Sequence, residues 1–222
     1  LKCLLAAVDV TSNGNINSGQ KAFQTQTYPF QSSEVRGLDV ANQVEAYMTS
    51  QGVSYINLVG HSQGGLDIRK AAKVLYQRKG RQVVKVLISI SSPHRGSPVA
   101  KYILDLKPGV TNVVAALATI FGNSIYRSGN DAFAGAKQLV YNDYSATDGL
   151  TTGAKAFNVN NPVSATYAAY YGSFVTAQTG VSVNPALFIL RNGFFNIDGD
   201  GYCIDDCDND GAAGKGDGTA TD

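Results

Sequence analysis

One short run in this chain has residue types and spacing that could break an acyl bond: Gly60-His61-Ser62-Gln63-Gly64, followed at once by Gly65. In the pattern G-x-S-x-G the serine occupies a strained turn between a strand and a helix, which lifts its hydroxyl above the sheet. The glycines two before and two after it are expected because a side chain there would collide with neighbouring backbone. Ser62 is therefore a candidate nucleophile for acyl transfer. The same turn leaves the backbone N–H of Gln63 at a helix N-terminus, pointing to where an oxyanion would form. Five residues with three fixed positions arise in many chains, so a plain glycine-rich turn is the alternative that the surrounding elements must decide against.

A second chemistry is written near the C-terminus. Between Asn196 and Gly211, Asp198, Asp200, Asp205, Asp208 and Asp210 recur among glycines, which concentrates hard oxygen ligands of the kind Ca²⁺ takes. Without a cation these carboxylates would repel one another, so a structural Ca²⁺ loop is expected over 196–217, with a solvated acidic loop as the alternative. The spacing is not that of an EF-hand; it resembles the calcium repeats of thrombospondin type 3 modules. Cys203 and Cys207 stand four apart in this stretch, where a local bridge is reachable, and Cys3 is left over as a small buried hydrophobe. Calcium and a disulfide together point outside the cell.

The elements needed to position Ser62 are present in the right order. Tyr55 to Val59 reads as a buried strand, Leu66 to Leu75 as a helix carried by Leu66, Ile68, Ala71, Ala72, Val74 and Leu75, and Val83 to Ile90 as the next strand. That β-α-β arrangement is the context the serine motif requires. Upstream, a helix with Ser32 or Ser33 as N-cap is expected to run on Val35, Leu38, Val40, Val44, Tyr47 and Met48 to a stop near Gln51-Gly52. Leu1 to Val10 suits a strand or a helical turn, and Thr11 to Thr27 a loop. Downstream, Pro108-Gly109 precedes an apolar segment from Val110 to Ile125 that is either core helix or a lid over the active serine. Ala132 to Tyr144 predicts another helix, and Tyr167 to Val175 a strand that rejoins the sheet.

Composition narrows the classes. A chain of 222 residues with 44% hydrophobic content suits one sizeable globular domain. Its net charge of +1 and lack of a basic cluster argue against a nucleic-acid binder. No run reaches the ~18 to 20 apolar residues of a membrane span. The sequence begins at Leu1 rather than Met, which a processed or clipped N-terminus would explain.

Ser33-Glu34-Val35-Arg36-Gly37, Asn57 to Gly65 with Ile68-Arg69, and Ser92-Pro93-His94-Arg95-Gly96-Ser97 together resemble the secreted bacterial triacylglycerol lipases of the Pseudomonas and Burkholderia type. The likeness is specific from about Tyr28 to Val99 and returns near Thr151 to Phe157 and Asn184-Pro185. It implies an α/β-hydrolase fold with a mostly parallel central sheet and helices on both faces, and a Ser-Asp-His triad. It also implies a helical lid, placed at about 101–145, a structural calcium ion, and lipid or ester substrate met at an oil-water interface. A lipase-specific foldase is an implied partner, and secretion the implied location.

Carried over by residue, Ser62 falls on the nucleophile and Gln63 on the oxyanion donor after it. Asn184 falls where the family has an aspartate calcium ligand, and Asp222, in Gly218-Thr219-Ala220-Thr221-Asp222, falls on the triad acid with Asp217 in reserve. His94 matches a turn after the next strand and His61 precedes the nucleophile, so neither matches the triad histidine. No His-Gly turn precedes Ser33 to supply the other oxyanion donor. The expectation is a single α/β-hydrolase domain over 1–222 that continues past both ends and is catalytically silent as it stands. Two other readings stay open: a different acyl-transfer enzyme on this fold, such as an esterase, polyester hydrolase or peptidase, or a non-enzymatic calcium-binding module.

Overall fold

Helix α1 spans Ser33–Gln51 in the computed structural model, which describes residues 23–28, 31–97, 100, 131–139 and 153–175. Ser32 is its N-cap, its Oγ accepting from the Val35 N–H, and Gly52 ends it at φ 64°, its N–H reaching back to the carbonyls of Met48 and Thr49. Strand β1 (Ile56–His61) follows and turns directly into helix α2 (Gly64–Lys79), which Gly80 closes at φ 65°. Strand β2 (Val84–Ile90), the short helices α3 (Ala132–Gln138) and α4 (Ala154–Asn160), and strand β3 (Ala168–Phe174) complete the described elements.

The three strands form one parallel sheet in the order β1-β2-β3. Leu58, Leu87 and Tyr171 stand in register across it, and so do His61, Ile90 and Phe174 at its carboxyl end. Leu58, Val84, Leu87 and Ala168 pack beneath Val40, Val44 and Met48 of α1 and Ile68, Ala72 and Leu75 of α2, which makes one continuous core. Every apolar residue expected to carry α2 is buried.

The inward stripe of α1 differs from the expected one. Val35 and Leu38 are exposed, while Ser33, Arg36, Gly37 and Ala41 face inward with Val40, Val44 and Met48. The cause is the close crossing of α2: a Cβ on Gly37 would stand 2.4 Å from Lys70 Cβ and 2.7 Å from the Asp67 carbonyl oxygen. Only small or polar residues fit there. The crossing is locked by a buried pair in which Arg36 Nε donates to Asp67 Oδ2 at 2.9 Å, and Nη2 lies 2.8 Å from the same oxygen. Burial pushes the Asp67 carboxyl up and the Arg36 guanidinium opposes that shift. Lys70 adds an ion pair to Glu34 beside it.

Helix α3 ends well before the expected Tyr144. The Leu139 N–H folds back onto Gly135 and Ala136, and its carbonyl accepts from Ser97 N at 2.6 Å, so the last turn is spent on the loop after β2. The buried Gln138 side chain accepts from the Glu34 N–H at 3.2 Å and so helps to cap α1. Residues 1–10, the apolar segment 110–125, most of the expected lid and the whole of 176–222 lie outside the described residues. Among the described residues no helix is long and apolar enough to cross a membrane.

Candidate active site

The turn after β1 carries Ser62 at φ 54°, a left-handed conformation unusual for a residue with a Cβ. Two hydrogen bonds hold it: Ser62 N–H to the Ile90 carbonyl at 2.9 Å, which ties the turn to the end of β2, and Gly65 N–H to the Ser62 carbonyl at 3.0 Å, which starts α2. The Ser62 side chain is exposed, and among the described residues nothing hydrogen-bonds its hydroxyl. Ser91, at the corresponding end of β2, is also left-handed at φ 47° and donates to the Phe174 carbonyl at 2.8 Å. Successive strand ends are thereby stitched together at the edge where Ser62 stands.

The glycines divide differently from expectation. A Cβ on Gly60 would lie 2.2 Å from the Gly64 carbonyl oxygen, and one on Gly65 would lie 2.1 Å from Ser92 Oγ, so both positions exclude a side chain. Gly64, expected to be equally confined, would place its Cβ in open space. The tight approach of α2 to the sheet falls one residue later, where Gly65 passes over Ser89 and Ser92.

Gln63 stands at the N-cap of α2 with helical φ and ψ, and among the described residues its N–H has no acceptor, as an oxyanion donor requires. Its side chain Nε2 donates to the Gln31 carbonyl at 2.7 Å, binding the segment before α1 to the turn. Gln31 was not a sequence candidate; nothing in its own spacing marks it.

His94 is occupied elsewhere. Arg69 Nη1 lies 3.2 Å from its Nδ1, and because a guanidinium can only donate, Nδ1 must accept. The proton then sits on Nε2, which donates to Ser89 Oγ at 2.9 Å. Burial, followed by the Arg69 charge, lowers the His94 pKa to about 4, so the ring is neutral at pH 7. Asn158 Nδ2 holds the His94 carbonyl at 2.8 Å. His94 is a structural residue joining β2, α2 and α4, as the turn resemblance implied, and His61 is exposed.

Among the described residues no cluster of His, Cys, Asp or Glu could hold a metal ion. The expected calcium ligands Asn184, Asp198, Asp200, Asp205, Asp208 and Asp210 lie outside them, as do the acid candidates Asp222 and Asp217.

A parallel sheet, a helix entered through a strained and exposed serine, and a free N–H beside it define an α/β hydrolase. Residues 12–152 match the model of the palmitoyl protein thioesterase family, more than half of the chain, and the chain belongs to that family. It is also similar to triacylglycerol lipases: 34% identical over 132 residues to that of Pseudarthrobacter phenanthrenivorans (54% of this chain, 40% of the relative) and 32% over 134 residues to that of Pseudomonas fragi (59% and 42%). The expected likeness to bacterial lipases is thus borne out. The chain spans about two fifths of the length of these relatives. A solved Bacillus licheniformis lipase in mature form aligns with a TM-score of 0.49 at 21% identity, over 75% of this chain and 56% of that one.

Proposed function

We propose that this protein is a carboxylic-ester hydrolase of the lipase type in which Ser62 attacks the acyl carbonyl and forms an acyl-enzyme. The observation that carries this is the exposed Ser62 hydroxyl on a left-handed turn between β1 and α2. The serine proton passes to a histidine oriented by Asp222, the Gln63 N–H takes the negative charge on the carbonyl oxygen, and water then releases the acid. Neither His61 nor His94 is assigned the base, since both nitrogens of His94 are committed to Arg69 and Ser89. The 222 residues alone should accordingly react slowly with a fluorophosphonate. Brisk labelling that is lost in His94→Ala would reverse that assignment.

Long-chain acylglycerols at an oil-water interface are the proposed substrates, supported by the relatives described as triacylglycerol lipases. The family match favours a second substrate class, S-acyl thioesters, which the same serine would cleave by the same steps. In this proposal the protein is secreted, carries Ca²⁺ on the Asp198 to Asp210 loop, with Asn184 as a further ligand, and takes a folding helper. In the active enzyme Ser62→Ala should lower turnover of both p-nitrophenyl decanoate and palmitoyl thioesters by several powers of ten, because triad members act as a unit. Retention of more than about a tenth of either activity would exclude Ser62 as the nucleophile. The ratio of the two wild-type activities decides between the substrate classes.

A further inference from the structure

Arg69 is only 6% exposed, yet among the described residues no carboxylate pairs with it. Its partners are neutral: His94 Nδ1, Asn158 Oδ1 at 2.8 Å and the Asn161 carbonyl, with the Phe157 ring 5.5 Å away. Its Nε is buried and unsatisfied. A buried cation without a counter-ion is costly, and a bound anion would offset that cost. Among the described residues the other buried arginine, Arg36, has its carboxylate in Asp67. The contrast between the two is chemical, not merely positional.

Arg69 lines a cavity of about 520 Å³ between β2, β3, α2 and α4, which is within the range of small-molecule sites. Ser89, Arg95 and Ser173 also line it, and the described lining holds no acidic residue. His94 and Asn158, both bonded to Arg69, line it too, and Leu87, Pro162, Val163 and the ring of Tyr171 give it an apolar wall. Ser62 does not line this cavity. An inorganic anion would answer the charge and leave the apolar wall unused.

We propose that this cavity binds a carboxylate carrying an apolar chain, with its head group toward Arg69 and its chain along Leu87, Val163 and Tyr171. The site is separate from the acylation chemistry and does not depend on it. Free long-chain acid, the class of product an acyl hydrolase releases, has this chemistry.

Calorimetric titration of residues 1–222 in the Ser62→Ala form tests binding apart from turnover. Sodium decanoate below its micelle concentration should bind saturably at one site, while 1-decanol and sodium sulfate should each bind at least about tenfold more weakly. Arg69→Gln should abolish decanoate binding but removes contacts to α4, so a second variant is needed. Val163 is 61% exposed, and Val163→Asp puts a like charge at the mouth without disturbing the core. It should weaken decanoate about tenfold or more. Absence of saturable binding, equal affinity for decanol or sulfate, or an unchanged affinity in Val163→Asp would overturn the proposal.

Discussion

Ser62 keeps a backbone conformation that costs a residue with a Cβ about 1–3 kcal/mol, and it does so because its neighbours leave no other path. Gly60 beneath it has no room for a methyl group, and Gly65 lies against Ser92, whereas Gly64 faces open space. Gly60→Ala and Gly65→Ala should each lose about 1–3 kcal/mol or more in urea unfolding, and Gly64→Ala should be neutral or gain up to about 1 kcal/mol. Equal losses at all three would mean that Gly64 is confined after all. At His94 the proton balance makes a second prediction. Its folded pKa is about 4, against about 6.5 for an unperturbed ring, so between those values the unfolded chain binds more protons. Stability should therefore fall as pH drops from 6.5 toward 4 and level off below. The loss should be on the order of 3 kcal/mol. In His94→Gln most of that slope should be lost, the remainder belonging to His61, whose pKa burial also lowers, and an unchanged slope would assign it to another group.

Between the elements, the decisive contact is the crossing of α1 over α2. Periodicity alone assigned Val35 and Leu38 to the inner face of α1, because it counts apolar residues and takes no account of how near a neighbour comes. With Gly37 almost touching Lys70, bulk is excluded and polar atoms fill the gap, so Arg36 and Asp67 pair at the face where Val35 and Leu38 were expected. The caps of α1 were legible because Ser32 and Gly52 act locally, and so was α2, whose apolar spacing coincides with its buried face. The end of α3 was not, since Ser97 takes the Leu139 carbonyl from a distant part of the chain. The Arg69 cluster was hidden for the same reason: Asn158 and Asn161 lie about ninety positions from the arginine they hold. Removing one member of the buried pair leaves the other charge stranded, so Asp67→Ala should cost about 3–5 kcal/mol in urea unfolding. Replacing both, as Arg36→Met with Asp67→Leu, should recover most of it. A single-variant loss below about 1 kcal/mol would show that the pair is not held out of water.

Across the whole molecule, chain direction decides which residues can reach Ser62. Because β1, β2 and β3 are parallel and their ends are in register at His61, Ile90 and Phe174, the chain leaves β3 at the edge where the serine stands. In open parallel sheets, groups that act on a ligand gather at that carboxyl edge. The β1-α2-β2 unit was readable from the motif and its flanks, and the return of β3 from its tyrosines. The acid was not, since a carboxylate belongs to the triad only through its distance to a histidine, and the stretch after Val175 offers many aspartates. Asp222 and the Asp198 to Asp210 group should nevertheless respond differently in the active enzyme. Asp222→Asn should lower kcat by about 10⁴, by analogy with the orienting aspartate of serine triads, and excess Ca²⁺ should not restore it. Asp200→Asn and Asp208→Asn should instead weaken activity and thermal stability together, with both recovering as Ca²⁺ is raised. Rescue of Asp222→Asn by calcium, or a loss of less than about tenfold, would move the acid to another aspartate, with Asp217 the first to test.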